Sequence, residues 1–188
     1  MKIAAVVMAA GESMRLGQPK QLVQLNGEPL LQRTLRIAAE AACQPVIAVL
    51  GANADVVRAG CHLSGAETIV NPEWREGMAS SIRMGIRAAA DAGCDAVLLM
   101  ACDQPAVSAV HLRALLAAGE SVVASGYAGR RGVPAYFAAE HFGALLALSG
   151  DVGARDLLRD APVVPLPNGE FDVDSPEDLQ RMRERFGQ

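Results

Sequence analysis

Arg15 and Lys20 lie in the segment Ala9-Ala10-Gly11-Glu12-Ser13-Met14-Arg15-Leu16-Gly17-Gln18-Pro19-Lys20. A forked guanidinium and a compact ammonium suit a polyphosphate. Gly11 and Gly17 let backbone N–H groups approach an anion with no Cβ in the way. The spacing is neither that of a P-loop nor that of a dinucleotide fingerprint, which argues against both classes. A surface turn carrying two solvated cations is the competing reading.

Acids follow later in the chain. Asp103 stands in Cys102-Asp103-Gln104-Pro105, directly after the apolar run Ala96–Ala101. A hard cation such as Mg²⁺ takes one or two carboxylates and completes its shell from substrate phosphates. The alternative for Asp103 is a turn or cap residue ahead of Ser108. Near the C-terminus, Phe171-Asp172-Val173-Asp174-Ser175 reads as a short extended piece with both acids on one side. Two like charges on one face repel unless a cation or water separates them. Asp172 is the favoured metal ligand; Asp174 is the second choice, since it also suits a cap beside Ser175.

Three more stretches are polar where loops are expected. Asn71–Ser81 places Gly77, Ser80 and Ser81 at the start of a helix, a setting friendly to an anion or a base. Gly129–Pro134 and Gly150–Arg155 carry Arg130, Arg131 and Arg155 on glycine-rich turns, suited to an anionic second substrate or simply to a charged surface. His62, His111 and His141 are isolated and read as surface or helix residues. None adjoins a serine or cysteine elbow, so a hydrolase triad is not expected.

Apolar runs alternating with helical spacing must position these groups. Strands are expected at Ile3–Met8, Val46–Leu50, Glu67–Val70 and Ala96–Ala101. Helices are expected at Leu30–Ala42, Asp55–Cys61 and Met78–Ala92. Near-continuous apolar strands with helical crossovers are the signature of a buried parallel sheet. The second half predicts helices at Ala109–Ala118, Ala138–Leu148 and Asp151–Arg159. It predicts extended pieces at Val122–Ser125, Val133–Phe137, Val163–Leu166 and Phe171–Val173. Ser175-Pro176-Glu177-Asp178 is a helix start, with a cap, an N1 proline and two acids facing the dipole. The pattern predicts a doubly wound α/β sandwich with one late antiparallel strand, and ligands gathered at the carboxyl ends of the strands.

Composition bounds the class. The chain has 188 residues, 51% hydrophobic and 20% charged, with a formal net charge of −4. That suits one globular domain over residues 1–188 and argues against a coat for nucleic acid or an anionic membrane. Aromatics at 4% leave few platforms for single-stranded bases. Met1-Lys2 before an apolar run imitates a short signal peptide, but a buried first strand leading into a binding loop is the better reading. No apolar run approaches the roughly 20 residues of a membrane span. Cys43, Cys61, Cys94 and Cys102 show no ligand spacing and read as reduced structural thiols in a cytoplasmic protein.

Taken together, the motifs resemble the molybdenum cofactor cytidylyltransferases of the MobA-like NTP transferase group, over residue 3 to about residue 182. The resemblance rests on Ala9-Ala10-Gly11-x-Ser13-x-Arg15-x-Gly17-x-x-Lys20, Gly77-Met78-x-x-Ser81, Asp103-Gln104-Pro105, Gly129-x-Arg131-Gly132-x-Pro134, Gly150-Asp151-x-Gly153-Ala154-Arg155 and Asp172 to Leu179, in that order. It implies a single-domain, mostly parallel, Rossmann-like or glycosyltransferase-A-like three-layer sandwich. It also implies transfer of CMP from CTP to the terminal phosphate of molybdopterin, with Mg²⁺, or Mn²⁺ in its place, and loss of pyrophosphate. A molybdenum hydroxylase is the implied partner, with no nucleic acid and no membrane.

The implied roles fall on particular residues. Ala9, Ala10, Gly11 and Ser13 meet the nucleotide, and Arg15 and Lys20 hold its triphosphate. Gly77 and Ser81 line the base pocket, while Asp103 and Asp172, with Asp174 in reserve, hold the metal. Arg131, Gly132, Pro134, Asp151 and Arg155 face the acceptor. Guanylyl-transferring relatives carry glycine where this chain has Ala10, so CTP is expected ahead of GTP. Val133 departs from the family, which carries a polar residue there, often His. A sugar- or polyol-phosphate acceptor and a non-catalytic nucleotide-binding assembly factor are the alternatives.

Overall fold

The computed structural model describes residues 1–63 and 65–187. Its strands are β1 (Ile3–Ala9), β2 (Gln24–Leu25), β3 (Glu28–Pro29), β4 (Val46–Leu50), β5 (Ala66–Val70), β6 (Ala96–Ala101), β7 (Val122–Tyr127), β8 (Arg130–Ala138) and β9 (Val163–Pro165). Its helices are α1 (Leu30–Glu40), α2 (Ala54–Gly60), α3 (Met78–Asp91), α4 (Ala109–Leu116), α5 (Phe142–Leu146) and α6 (Pro176–Phe186). Seven strands form one sheet in the order β5-β4-β1-β6-β8-β7-β9, and β2 pairs with β3 in a small ribbon apart from it.

β1 runs parallel to β4 and β6, and β8 alone runs against its neighbours β6 and β7. The expected late antiparallel strand is therefore β8. The sheet is buried on both faces, and the two-residue period of its strands divides the core in two. Ala5, Val7 and Ala9 pack with Leu31, Leu35 and Ala38 of α1 on one side. Ala4 and Val6 pack with Ile82, Ile86 and Ala89 of α3 on the other.

Gly85 marks the closest approach of α3 to the sheet. A Cβ there would lie 2.2 Å from Val6 Cγ1. Gly85→Ala should therefore destabilise, although alanine is the better helix former by about 1 kcal/mol. Overpacking of about 1–3 kcal/mol outweighs that gain. A fall in Tm of a few degrees by differential scanning calorimetry is the expected result, and an unchanged or raised Tm contradicts it.

A third, smaller core joins chain segments far apart in sequence. Leu16, Val23, Leu25 and Leu30 pack with Val173 and Met182. This cluster fastens the loop after β1 to the segment leading into α6. α6 opens with a full capping box between Ser175 and Asp178 and with Pro176 in its first turn, as expected.

Three expected elements differ. Asp151–Arg159 is a single 3₁₀ turn at Arg155–Leu158, because Gly150 and Gly153 take positive φ and fold the stretch back onto α3. Gly129–Pro134 is not a loop: Arg130 opens β8, and Ala128 and Gly129, both at positive φ, make the tight turn from β7. Phe171–Val173 forms no strand, yet Val173 is fully buried while Asp172 is exposed, and the Val173 N–H donates to the Asp103 carbonyl at 3.1 Å. All four cysteines are unpaired and buried. Among the described residues, no helix is long and apolar enough to cross a membrane.

Candidate active site

The loop after β1 is held from beneath. The buried Gln21 amide donates to the Ala9 carbonyl at 2.8 Å and the Gly11 carbonyl at 3.1 Å. Pinning both carbonyls on the inner side leaves the outer side of the turn for an incoming ligand. Ser13, in the left-handed region at φ 60°, accepts from the Lys20 N–H at 3.1 Å. The hydroxyl thus ties the start of the loop to its end. The sequence reading missed Gln21; its signal was a polar residue between Lys20 and Leu22, where the chain turns apolar.

Lys20 is the centre of charge. Its Nζ donates to Asp103 Oδ2 at 2.7 Å and to Asp174 Oδ1 at 2.6 Å. Arg15 reaches the other oxygen of Asp174 at 3.0 Å. Burial by itself would lower the Lys20 pKa; the Asp103 and Asp174 carboxylates more than reverse this and hold the amine above the usual lysine range. The structure thus brings together Arg15, Lys20, Asp103 and Asp174, drawn from three separated segments.

Asp172 stands beside them at the surface. Partial dehydration in the crevice, then the like charges of Asp103 and Asp174, push its carboxyl up to about 7. Three acids share one rim with one half-buried ammonium. Among the described residues, no three His, Cys, Asp or Glu side chains enclose an ion unaided. The donor set instead fits a hard cation that takes one or two carboxylates and draws its other ligands from phosphate and water.

The Asp172 shift has a testable sign. A carboxyl whose folded pKa is raised holds its proton more tightly when folded than when unfolded. Its ionisation therefore removes stability as pH climbs from the usual carboxylate range through about 7. Stabilisation by millimolar Mn²⁺ or Mg²⁺ should accordingly be greater at pH 8 than at pH 5, and Asp172→Asn should flatten that difference. Equal metal-induced shifts in Tm at both pH values would contradict it.

Next to this cluster lies a cleft of about 650 Å³. Ala10, Gly11 and Glu12 form one wall, Trp74 to Met78 a second, and Ser81 and Asp151 complete it. Gly77 is required by the close approach of two loops: at φ 106°, its added Cβ would lie 2.6 Å from the Gly150 carbonyl oxygen. Asp151 Oδ1 accepts from the Met78 N–H at 3.1 Å and so caps α3. Buried Asn71 donates to the hydroxyls of Ser80 and Ser81 at 2.8 and 3.0 Å, fixing the start of the helix.

Arg155 does not join Asp151. It lines a separate cavity of about 360 Å³ with Arg130, Arg131, Asp156 and Arg159. Arg131 Nε is fixed by the Ala161 carbonyl at 2.8 Å. Gly132 and Pro134 lie inside β8, not on a loop. The histidines take no part in the cluster. His111 is on α4 but buried, 2.7 Å from Ser125 Oγ, which donates to the Pro134 carbonyl.

Comparison with known proteins agrees with the fold. The profile described as "MobA-like NTP transferase domain" matches residues 5–165. The purine catabolism protein PucB of Bacillus subtilis is 31% identical, with 96% of each chain covered. The nicotine blue oxidoreductase of Paenarthrobacter nicotinovorans is 34% identical, again covering 96% of each. The molybdenum cofactor guanylyltransferase of Rhodobacter capsulatus is 30% identical over 100% of this chain and 98% of its own. Among solved structures, Rv0371c of Mycobacterium tuberculosis matches with TM-score 0.85 and 33% identity over 97% of both chains. The same protein described in complex with manganese matches at 0.81 and 30%, over 98% and 100%. A nucleotidyl transferase of Methanothermobacter matches at 0.84 and 26%, over 98% and 97%.

Proposed function

The chain belongs to the MobA-like NTP transferase family, and on that premise we propose that it moves a nucleotidyl group from a nucleoside triphosphate to the terminal phosphate of a molybdopterin-type acceptor. The observation that carries this is the Lys20 ammonium, held by Asp103 and Asp174 beside the Gly11 loop. In the reaction, an acceptor phosphate oxygen attacks the α-phosphorus, and the bond to the departing pyrophosphate breaks. A phosphate monoester is already anionic at neutral pH, so no strong base is needed, and the histidines lie elsewhere. Lys20 and Arg15 neutralise charge on the triphosphate, and the Ala9–Gly11 backbone and Ser13 seat it. Gly77 and Ser81 border the base. Asp103 and Asp172, with Asp174 beside them, would hold a Mg²⁺ or Mn²⁺ ion, which supplies charge stabilisation at the phosphates. The description of an Rv0371c structure as a complex with manganese supports use of a divalent ion.

Arg131, Gly132, Pro134 and Arg155 are assigned to the acceptor side, and Asp151 shapes the nucleotide cleft from its cap on α3. The name of the Rhodobacter capsulatus relative supports GTP as donor, ahead of the CTP expected from Ala10. CTP is kept on one residue: Ala10, which stands where guanylyl-transferring relatives are expected to carry glycine, lines the cleft. Residues 1–188 act as one such domain. Four buried unpaired thiols fit a reducing cytoplasm, with a molybdenum hydroxylase as recipient of the product.

Pyrophosphate release from CTP, GTP, ATP and UTP, with Mg²⁺ or Mn²⁺ and with or without molybdopterin, tests all of this. Acceptor-dependent release from one nucleotide supports the reading and names the donor. Nucleotide binding without release under any condition would overturn it in favour of a non-catalytic carrier.

A further inference from the structure

Trp74 is the sole tryptophan in the chain. It opens a 3₁₀ turn, Trp74–Glu76, immediately before Gly77 and α3, and it lines the same cleft as Ala10, Gly11 and Ser81. The residue is half-buried, with its Cβ packed toward Gly51 at the end of β4. The ring itself is not swallowed by a core: it belongs to none of the three apolar clusters. One face instead carries the guanidinium of exposed Arg75, whose central carbon lies 4.3 Å from the ring centroid. A flat cation therefore lies on one face of an indole that borders the cleft, and among the described residues no protein ring stacks on it.

Every nucleobase has a π-face, and a flat aromatic wall is the sequence-tolerant way to hold one. An exposed guanidinium on an indole is held weakly and can slide aside or rest on the far face of an inserted ring. We propose that Trp74 is the stacking platform for the base of the bound nucleotide and that Arg75 is its displaceable cover. The proposal rests on the nucleotidyltransferase reading and sharpens it, because it places the base on the Trp74 wall of the cleft that Ala10 and Gly11 also line. Gly77 and Ser81 then border the base edge, where donors and acceptors select its identity.

The single indole makes the proposal directly readable. Tryptophan emission of the full-length protein is titrated with the accepted nucleotide and Mg²⁺, while calorimetry measures binding in parallel. The expected result is a saturable change in emission whose midpoint equals the calorimetric Kd. Trp74→Leu, which keeps apolar bulk but has no ring face, should raise the nucleotide KM roughly tenfold or more with a smaller effect on kcat. Trp74→Phe should stay within about threefold of the parent, since a ring face remains. Arg75→Ala should leave the emission response in place. Calorimetric binding and pyrophosphate release with no change in emission, or a Trp74→Leu variant with parental KM, would overturn the platform while sparing the enzyme reading. Absence of both binding and pyrophosphate release for every nucleotide would overturn the two together.

Discussion

Asp103→Ala is expected to cut nucleotide-dependent pyrophosphate release by a hundredfold or more, about 3 kcal/mol in activation free energy. Asp103 follows β6 at the carboxyl rim of the sheet, and its carboxylate accepts from Lys20 at 2.7 Å. In the proposed reaction it also holds the divalent ion, so one substitution removes a metal ligand and one of the two anchors of the phosphate-neutralising amine. The fold should survive. Lys20 keeps Asp174 at 2.6 Å, so the half-buried cation is not left without a partner. The Asp103 backbone carbonyl, which receives the Val173 N–H, is untouched by the change. Steady-state rates together with circular dichroism check the prediction; turnover near the parental value in a folded variant refutes the metal assignment.

Lys20→Ala should have a comparable effect on activity and a larger one on stability. Charge neutralisation at the triphosphate is lost, so kcat/KM for the nucleotide should fall by a factor of about a hundred to a thousand. The three acids Asp103, Asp172 and Asp174 are then left facing one another without the Lys20 cation. A destabilisation on the order of 1–3 kcal/mol follows, discounted from a fully buried pair because solvent reaches Asp174. Its pH dependence has a fixed sign. In the parent, the raised Lys20 pKa contributes stability that is fully present below the ordinary lysine range, so it does not titrate between pH 5 and pH 9. In the variant, Asp172 loses the lowering influence of the Lys20 charge and holds its proton still more tightly folded than unfolded, so stability should drop as pH rises from 5 to 8. Chemical denaturation at those two pH values reads the difference. A variant with unchanged KM and kcat, and no loss of stability at pH 8, would remove Lys20 from the phosphate site.

Much of the site was legible because each piece is local. Gly11, Arg15, Gly17 and Lys20 lie within one short loop segment, and Asp103 follows closely on a strand too apolar to be anything but buried. Asp172 and Asp174 were readable as a pair from alternation, although no strand forms there. Gln21 escaped notice because its function is to bond two carbonyls of a loop that turns back over it. Trp74 and Arg75 escaped because an indole and a guanidinium acquire meaning only from the cleft they border. The supposed helix at Asp151–Arg159 failed for a related reason. Its glycines take positive φ to let the loop dock on α3, and helical spacing carries no record of a docking partner.

The sequence by itself determined the layered α/β class, the strands around β1, the glycine-bearing loop after it and the positions of the acids. These follow from periodicity, glycine placement and charge, which act over a few residues. Only the tertiary structure decided that Lys20 serves Asp103 and Asp174 at once, that Asp151 faces the cleft beside the Gly11 loop, and that Arg155 lies with Arg130, Arg131 and Arg159 in another cavity. The physical reason is the small core of Leu16, Val23, Leu25, Leu30, Val173 and Met182. Burying those side chains together draws the two ends of the chain into contact, and a pairing set by packing between distant segments leaves no periodic trace in either one.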